Sequence, residues 1–242
     1  MFSFIKGFLD CFSGFGLILK PGIRRYVVIP FIINLGLFTL ATKLLSDQLD
    51  GWLEQLLPGW LSWLEWLIWP LFAIAMFLIV FYTFTILANL IAAPFNSLLS
   101  AKIEAMLTGQ KPKDINSDGF IKLTIRTIKS ELQKILYAIK WAIPLTIITV
   151  IPAINIIAPF LWIIFAVWFF ALEYNDYPLA NRGQFFEDIK SYNRQHRMRS
   201  LGLGTGVFVL TSIPLINFFA MPVAVAGATK LTTKASNNSA GV

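Results

Sequence analysis

The chain has 242 residues, of which 57% are apolar by the inclusive count and 14% charged, against about 25% charged in an ordinary soluble domain. A water-soluble domain of this size needs a charged, wetted skin, so the composition excludes that class and points to a membrane protein. The charges are lopsided, 20 Lys+Arg against 13 Asp+Glu for a net of +7, and a single His and a single cysteine, Cys11, exclude an internal disulfide framework and a His/Cys-rich metal cage.

Met1 to Lys20 has no basic n-region followed by a small-residue cleavage site, so no secretory signal is expected there. Residues 2–19 read as an amphipathic helix, with Phe4, Phe8, Phe12 and Phe15 near one face and an inert Cys11. Pro21-Gly22 then breaks the chain, and an apolar run follows, which predicts a helix start near 21–25 and a full span over 26–45. A helix start offers free N–H groups and the positive end of a dipole to anions. Arg24 and Arg25 add forked donors suited to tetrahedral oxyanions. The same pair also reads as an ordinary cytoplasmic topology anchor.

Residues 44–65 carry Asp47, Asp50, Glu54 and Glu65 and no basic residue. Trp60, Trp63, Trp66 and Trp69 recur every three residues, with Trp52 before them, as in an aromatic belt at the outer interface. No charge follows until Lys102. A straight helix over 66–101 would be ~54 Å long, beyond a bilayer, so the second full span is placed at 66–94, with a kink at Pro94. Asn89, Ala93, Asn96, Ser100 and Glu104 share one face at its inner half, with Lys102 nearby. Such a stripe either glues helices together or lines a pore.

The block 102–140 holds eight basic residues against four acidic ones. Within it, 120–140 has helical periodicity, with Ile121, Ile125, Ile128, Leu132, Ile135 and Ile139 as an apolar stripe and Lys122, Arg126 and Lys129 on another face. A basic amphipathic helix of this kind lies on anionic lipid, or serves as an anion-collecting vestibule.

Two uncharged stretches remain, 141–172 and 200–229, and each has a broken centre. Residues 151–159 read I-P-A-I-N-I-I-A-P, and residues 213–222 read I-P-L-I-N-F-F-A-M-P, a degenerate internal repeat. Prolines this close predict helix breaks, leaving pieces 141–151, 159–172, 200–213 and 222–231. Each reaches ~15–20 Å, less than the ~30 Å core of a bilayer. The expectation is two re-entrant hairpins, 141–172 and 200–231, with Asn155 and Asn217 at their tips. Each Asn either satisfies broken backbone or lines a path. The block between them, 173–199, has five basic and four acidic residues. His196 sits there among Arg194, Arg197 and Arg199 and reads as a surface residue.

The positive-inside rule puts the N-terminus, 102–140, 173–199 and the tail inside, and the acidic loop 44–65 outside. Hairpins that enter and return keep 173–199 inside; four kinked single spans are the competing topology. The sequence has no G-x-x-x-x-G-K-S/T, G-x-G-x-x-G, H-E-x-x-H or G-x-S-x-G, which argues against nucleotide-driven pumping, a metal site and an enzyme. The basic residues flank apolar runs as topology signals, so nucleic acid is not an expected partner.

Five stretches are recognisable: P-G-I-R-R-Y-V-V-I-P (21–30), A-N-L-I-A-A-P-F-N-S-L-L (88–99), E-A-M-L-T-G (104–109), E-Y-N-D-Y-P (173–178) and I-P-L-I-N-F-F-A-M-P-V-A-V-A-G-A-T (213–229). Through them the chain resembles the CysZ family of bacterial inner-membrane sulfate permeases, in order and over nearly its whole length. The resemblance implies sulfate uptake for cysteine biosynthesis without ATP hydrolysis, and an α-helical fold that mixes full spans with hemi-penetrating helices and assembles as a homo-oligomer. It also implies that Gly22, Ile23, Arg24 and Arg25 bind sulfate. Met106 stands where such proteins often carry a basic residue.

The expected architecture is an all-α integral membrane protein. Two long transmembrane helices accompany two hemi-penetrating helical hairpins and amphipathic cytoplasmic helices, all in one membrane domain over 1–242. Sulfate is expected to be captured by the backbone amides at 22–24 and the Arg24 and Arg25 forks. It would then pass Asn89, Asn96, Ser100, Lys102, Glu104, Asn155 and Asn217. The expected partners are sulfate, membrane lipids and further copies of the chain, with no cofactor and no metal. The expected location is the bacterial inner membrane, multi-pass. The alternative is a non-transporting membrane scaffold or lipid-binding protein, with 120–140 as its active surface.

Overall fold

Long apolar runs with few helix-breaking positions fold here as helices, and among the described residues no strand occurs. The computed structural model describes residues 2–56, 65–110 and 120–240, without the side chains of 44–56, 65, 67–69, 72, 73, 76, 79–81, 84–91, 120–124 and 237–240. The side chains of Asn89, Lys122, the acids of 44–65 and four of the five belt tryptophans therefore lie outside the described residues. The helices are α1 (Phe2–Phe12), α2 (Gly14–Ile18), α3 (Arg25–Leu56), α4 (Glu65–Thr108), α5 (Phe120–Val150), α6 (Ala158–Ala180), α7 (Phe186–Gln195), α8 (Arg197–Ser212) and α9 (Pro214–Ala240). They fall into two compact units, residues 25–95, and residues 1–24 with 96–242.

In the unit 25–95, α3 does not stop at residue 45. The acidic stretch from Ser46 to Gln55 contains no proline, so the helix continues through it to Leu56. α4 likewise runs on through Pro94, whose side chain is exposed. The described surface of α3 is apolar and open, including Phe31, Ile32, Leu35 and Phe38. Its Thr39 and Thr42 hydroxyls donate back to the carbonyls of Leu35 and Phe38, both at 2.8 Å, so these two hydroxyl hydrogens are satisfied within the helix.

The other unit is built on two antiparallel helix pairs. In the first, Thr149 on α5 accepts from the Trp162 indole of α6 at 3.1 Å, the Tyr137 hydroxyl from Trp168 at 3.0 Å, and Lys134 donates to Glu173 at 3.1 Å. Residue numbers fall along α5 as they rise along α6, so the helices lie side by side in opposite directions. In the second pair, Asp10 bonds both Arg199 near the start of α8 and Lys234 near the end of α9. Cys11 lies against both Gly206 and Gly227.

The two turns are built differently, although their motifs match. In the first, Ala153 takes a positive φ of 70°, Asn155–Ile157 form a 3-10 turn, and Pro159 starts α6. In the second, only Ile213 leaves the helix, with φ −103° and ψ 111°, and Pro214 starts α9. A proline suits the first helical position and pushes its predecessor to extended backbone. Pro222 is carried inside a helix, as are Pro144 and Pro178, so the second expected break is confined to Ile213 and Pro214 and none occurs at Pro222. α6 and α9 are consequently longer than the predicted pieces, at 23 and 27 residues. Among the described residues, Arg25–Lys43, Asn155–Ala180 and Pro214–Ser236 are long and apolar enough to cross a membrane.

Glycines let the helices touch backbone to backbone. A Cβ on Gly202 would sit 2.0 Å from the Phe4 carbonyl oxygen, and one on Gly204 1.9 Å from that of Val167. α8 thus presses α1 with one face and α6 with another, the small-residue packing that membrane helices use in place of a hydrophobic drive. On α1 the buried face is Gly7, Asp10 and Cys11, while Phe4, Phe8 and Phe12, like Phe15 on α2, are only half-buried.

Polarity runs inside-out on α5. Ile125, Ile128, Leu132, Ile135 and Ile139 are exposed, whereas Ser130 and Lys134 are buried. Ser130 accepts the Phe186 N–H at 2.9 Å, and Arg126 stacks 4.3 Å from the Phe185 ring. A helix in water would turn its isoleucines inward. This one keeps its polar side for α6 and α7.

Candidate functional site

The turn before α3 is fixed by Gly22, at φ +83°, a conformation that disfavours any side chain. Ile23 is buried and anchors the turn, and Arg24 is exposed. The N–H groups of Ile23 and Arg24 donate to the Lys20 carbonyl at 3.0 and 3.3 Å. Two of the three amides expected to face the anion thus also close the turn. The guanidinium of Arg24 is left as the exposed anion donor of this turn. Arg25, the first residue of α3, is exposed, lies 4.9 Å from the Tyr26 ring centroid and donates to the Tyr26 hydroxyl at 3.1 Å.

The inner end of α4 carries the next polar group. Asn96 and Ser100 are buried, and Glu104 is half-buried. Asn96 lies against Tyr177 of α6, and its Nδ2 has no hydrogen-bond partner. Ser97 donates to Asn181 Oδ1 at 2.7 Å, and Asn181 Nδ2 returns a bond to the Ser97 carbonyl at 2.9 Å. The Ser100 and Thr229 hydroxyls are hydrogen-bonded at 2.9 Å. Glu104 accepts from Arg182 Nε at 2.8 Å, and Arg182 also reaches Thr232 and Thr233 of α9 at 3.4 and 3.3 Å. Three stripe residues therefore meet α6, α9 and Arg182 in one buried polar layer. Lys102 is exposed, and Asn155 and Asn217 are exposed at the two helix turns, outside that layer. Asn155 and Asn217 donate their backbone N–H to Ile151 and Ile213, at 3.0 and 2.8 Å.

Two hubs of opposite sign complete the picture. Asp10 is buried, its Oδ2 accepts from Arg199 at 2.8 Å, and its Oδ1 accepts from Lys234 at 3.0 Å with Lys230 at 3.9 Å. Lys134 is buried between Glu131 at 3.2 Å, Glu173 at 3.1 Å and Asp176. Burial opposes the charge on Lys134, but Asp176 and Glu173 outweigh it and hold the ammonium above the usual lysine range. Between Arg182 and Arg199 sits Tyr192, whose hydroxyl has no partner; burial pushes it up to about 12 against the pull of both guanidiniums. Burial likewise pushes the Cys11 thiol up to about 12, so it stays a neutral packing group.

Most of these functional-looking partners were missed by sequence reasoning. Asp10, Lys134, Arg182, Asn181 and Thr229 carry no local signal of their roles, because their partners lie 39 to 224 residues away. The one usable signal was burial arithmetic, since an Asp and a Lys inside glycine- and isoleucine-rich helices need partners.

A family model described as "Sulfate transporter CysZ/Etoposide-induced protein 2.4" matches residues 10–222. The chain belongs to this family. A protein of Pseudomonas fluorescens (strain Pf0-1) named sulfate transporter CysZ is 41% identical over 221 residues, 90% of this chain and 88% of that protein. Membership agrees with the apolar helices above: the chain is an α-helical membrane protein of a transporter family, not an enzyme.

Proposed function

We propose that this chain carries sulfate into the cell across the bacterial inner membrane, without ATP hydrolysis, to supply cysteine biosynthesis. The observation that carries the reading is membership of a family whose 41% identical relative is named a sulfate transporter. Gly22, Ile23, Arg24 and Arg25 form the capture site in this reading. The exposed guanidiniums supply the charge-assisted donors, and Gly22 and Ile23 set the turn. Beyond it, sulfate passes the polar groups Asn89, Asn96, Ser100, Lys102 and Glu104, and the turn residues Asn155 and Asn217. Conduction needs several weak sites in series, because one deep site would trap the ion.

The protein works as one multi-pass membrane domain, with full spans at 26–45 and 66–94 and cytoplasmic segments at 102–140 and 173–199. The pairs α5–α6 and α8–α9 act as the re-entrant hairpins 141–172 and 200–231. Charge position supports this. Lys140 and Glu173 bracket the first turn, and Arg199 and Lys230 bracket the second. The uncharged arms 141–150 and 200–212 reach only ~15 and ~20 Å, against a core of ~30 Å. Lipid covers the exposed isoleucine stripe of α5, and further copies of the chain complete a homo-oligomer.

The test is sulfate binding to the purified protein. Arg24→Ala combined with Arg25→Ala removes the tightest saturable binding. Binding unchanged by the double substitution contradicts the capture site.

A further inference from the structure

The Asp10 hub has more positive charge than its ion pairs explain. Three cations, Arg199, Lys230 and Lys234, lie within 4 Å of one carboxylate, so among the described residues two of the positive charges have no acid against them. Such an excess is costly where the groups are partly withdrawn from water, and Asp10 itself is 6% exposed. Arg199 uses its terminal nitrogen on Asp10, while its Nε is buried with no partner, as is the hydroxyl of Ser200 beside it. A single divalent anion would bring the hub to neutrality and meet the orphaned Nε–H.

The hub also neighbours the capture turn. The carbonyl of Lys20 closes that turn by accepting from Ile23 and Arg24, and the Lys20 ammonium adds a fourth charge felt at Lys230. Lys20 thus links the turn that carries Arg24 to the basic group built on α8 and α9.

We propose that Arg199, Lys230 and Lys234 form a second subsite for a free tetrahedral oxyanion, with Asp10 as a built-in carboxylate that holds the cations in place and competes with the bound ion. The inference rests on the sulfate reading and deepens it. Asp10 keeps the subsite weak, as a conducting path requires. A like charge a few ångströms from a bound anion, even when screened, is worth about tenfold in affinity.

The experiment measures radiolabelled sulfate binding to full-length protein in lipid nanodiscs, with and without Arg24→Ala/Arg25→Ala. In the double-alanine background, Asp10→Asn tightens the residual binding by about tenfold, and Lys234→Gln weakens it. In the background with both arginines, Asp10→Asn slows sulfate release. Lys234 is half-exposed, so its glutamine variant retains the fold and decides the matter if Asp10→Asn does not fold. An ordinary structural ion pair predicts the opposite sign for Asp10→Asn, weaker binding together with lower stability, and that result overturns the proposal. Residual binding indifferent to Lys234→Gln overturns it too. Nanodiscs made only of zwitterionic lipid keep the effect if the ligand is a free oxyanion. An effect that appears only as retention of anionic phospholipid assigns the hub to a headgroup and overturns the free-anion subsite. Full binding retained by Arg24→Ala/Arg25→Ala, with loss on Lys234→Gln, contradicts the capture turn and leaves the hub standing.

Discussion

Asp10 and Lys134 are both charged side chains buried among helices, and each gathers three partners of the opposite sign. Their surplus charges differ. Around Asp10 the excess is positive, on α8 and α9; around Lys134 it is negative, on α5 and α6. A divalent anion is drawn to the first and repelled by the second. The acids around Lys134 therefore have a structural task, clamping α5 to α6 below their apolar turn, while the bases around Asp10 remain available to a ligand. Counting salt bridges would rate the two hubs alike. Their net charge separates a clamp from a binding group.

The largest expected effect breaks the clamp. Lys134→Met leaves the half-buried Glu173 and Asp176 facing each other without their cation and costs about 3 kcal/mol, the low end for the loss of one partner from a buried pair. Thermal unfolding of the purified protein in detergent reads the loss. A cost within that of a surface substitution, about 0.5 kcal/mol, would erase the distinction between the hubs.

A smaller effect comes from the helix that links them. Gly204→Ala places a methyl 1.9 Å from the Val167 carbonyl oxygen, so α8 must move off α6 and take Arg199 with it. Overpacking of this kind costs about 1–3 kcal/mol. Both the unfolding midpoint and sulfate affinity fall. A midpoint that falls with affinity untouched would uncouple Arg199 from the anion.

The smallest effect is a pH dependence next to Asp10. Burial raises the Cys11 thiol from 9.0 to about 12, so the folded state favours the neutral form. Its contribution to stability is complete below about pH 9 and is lost as pH rises toward about 12. Cys11→Ser removes the sulfur and flattens that part of the unfolding-midpoint profile. An identical profile in the serine variant would show that the thiol does not titrate between the two states.

Much of this was legible in the sequence because it depends on local pattern. The charge deficit gave the membrane class, the I-P-x-I-N motifs marked both turns, and the 89–104 spacing put Asn96, Ser100 and Glu104 on one face. What escaped depends on contacts between distant segments. Glu104 finds its cation in Arg182, not near Met106, and the two are 78 residues apart. Pro222 looked like a break, but a helix started by Pro214 and packed through Val223, Ala224 and Gly227 tolerates one missing hydrogen bond. The phenylalanine stripe of 2–19 marks a half-buried face, not the closely packed one. The packed face is Gly7, Asp10 and Cys11, because only small residues admit the backbone of α8.

The central claim is that the chain conducts sulfate, and uptake of radiolabelled sulfate into proteoliposomes tests it most directly. Vesicles containing the protein should accumulate sulfate faster than empty vesicles without ATP, with Arg24→Ala/Arg25→Ala slowing the flux. Uptake equal to that of empty vesicles, from protein that still binds lipid and remains folded, would contradict the account and favour a non-transporting membrane scaffold.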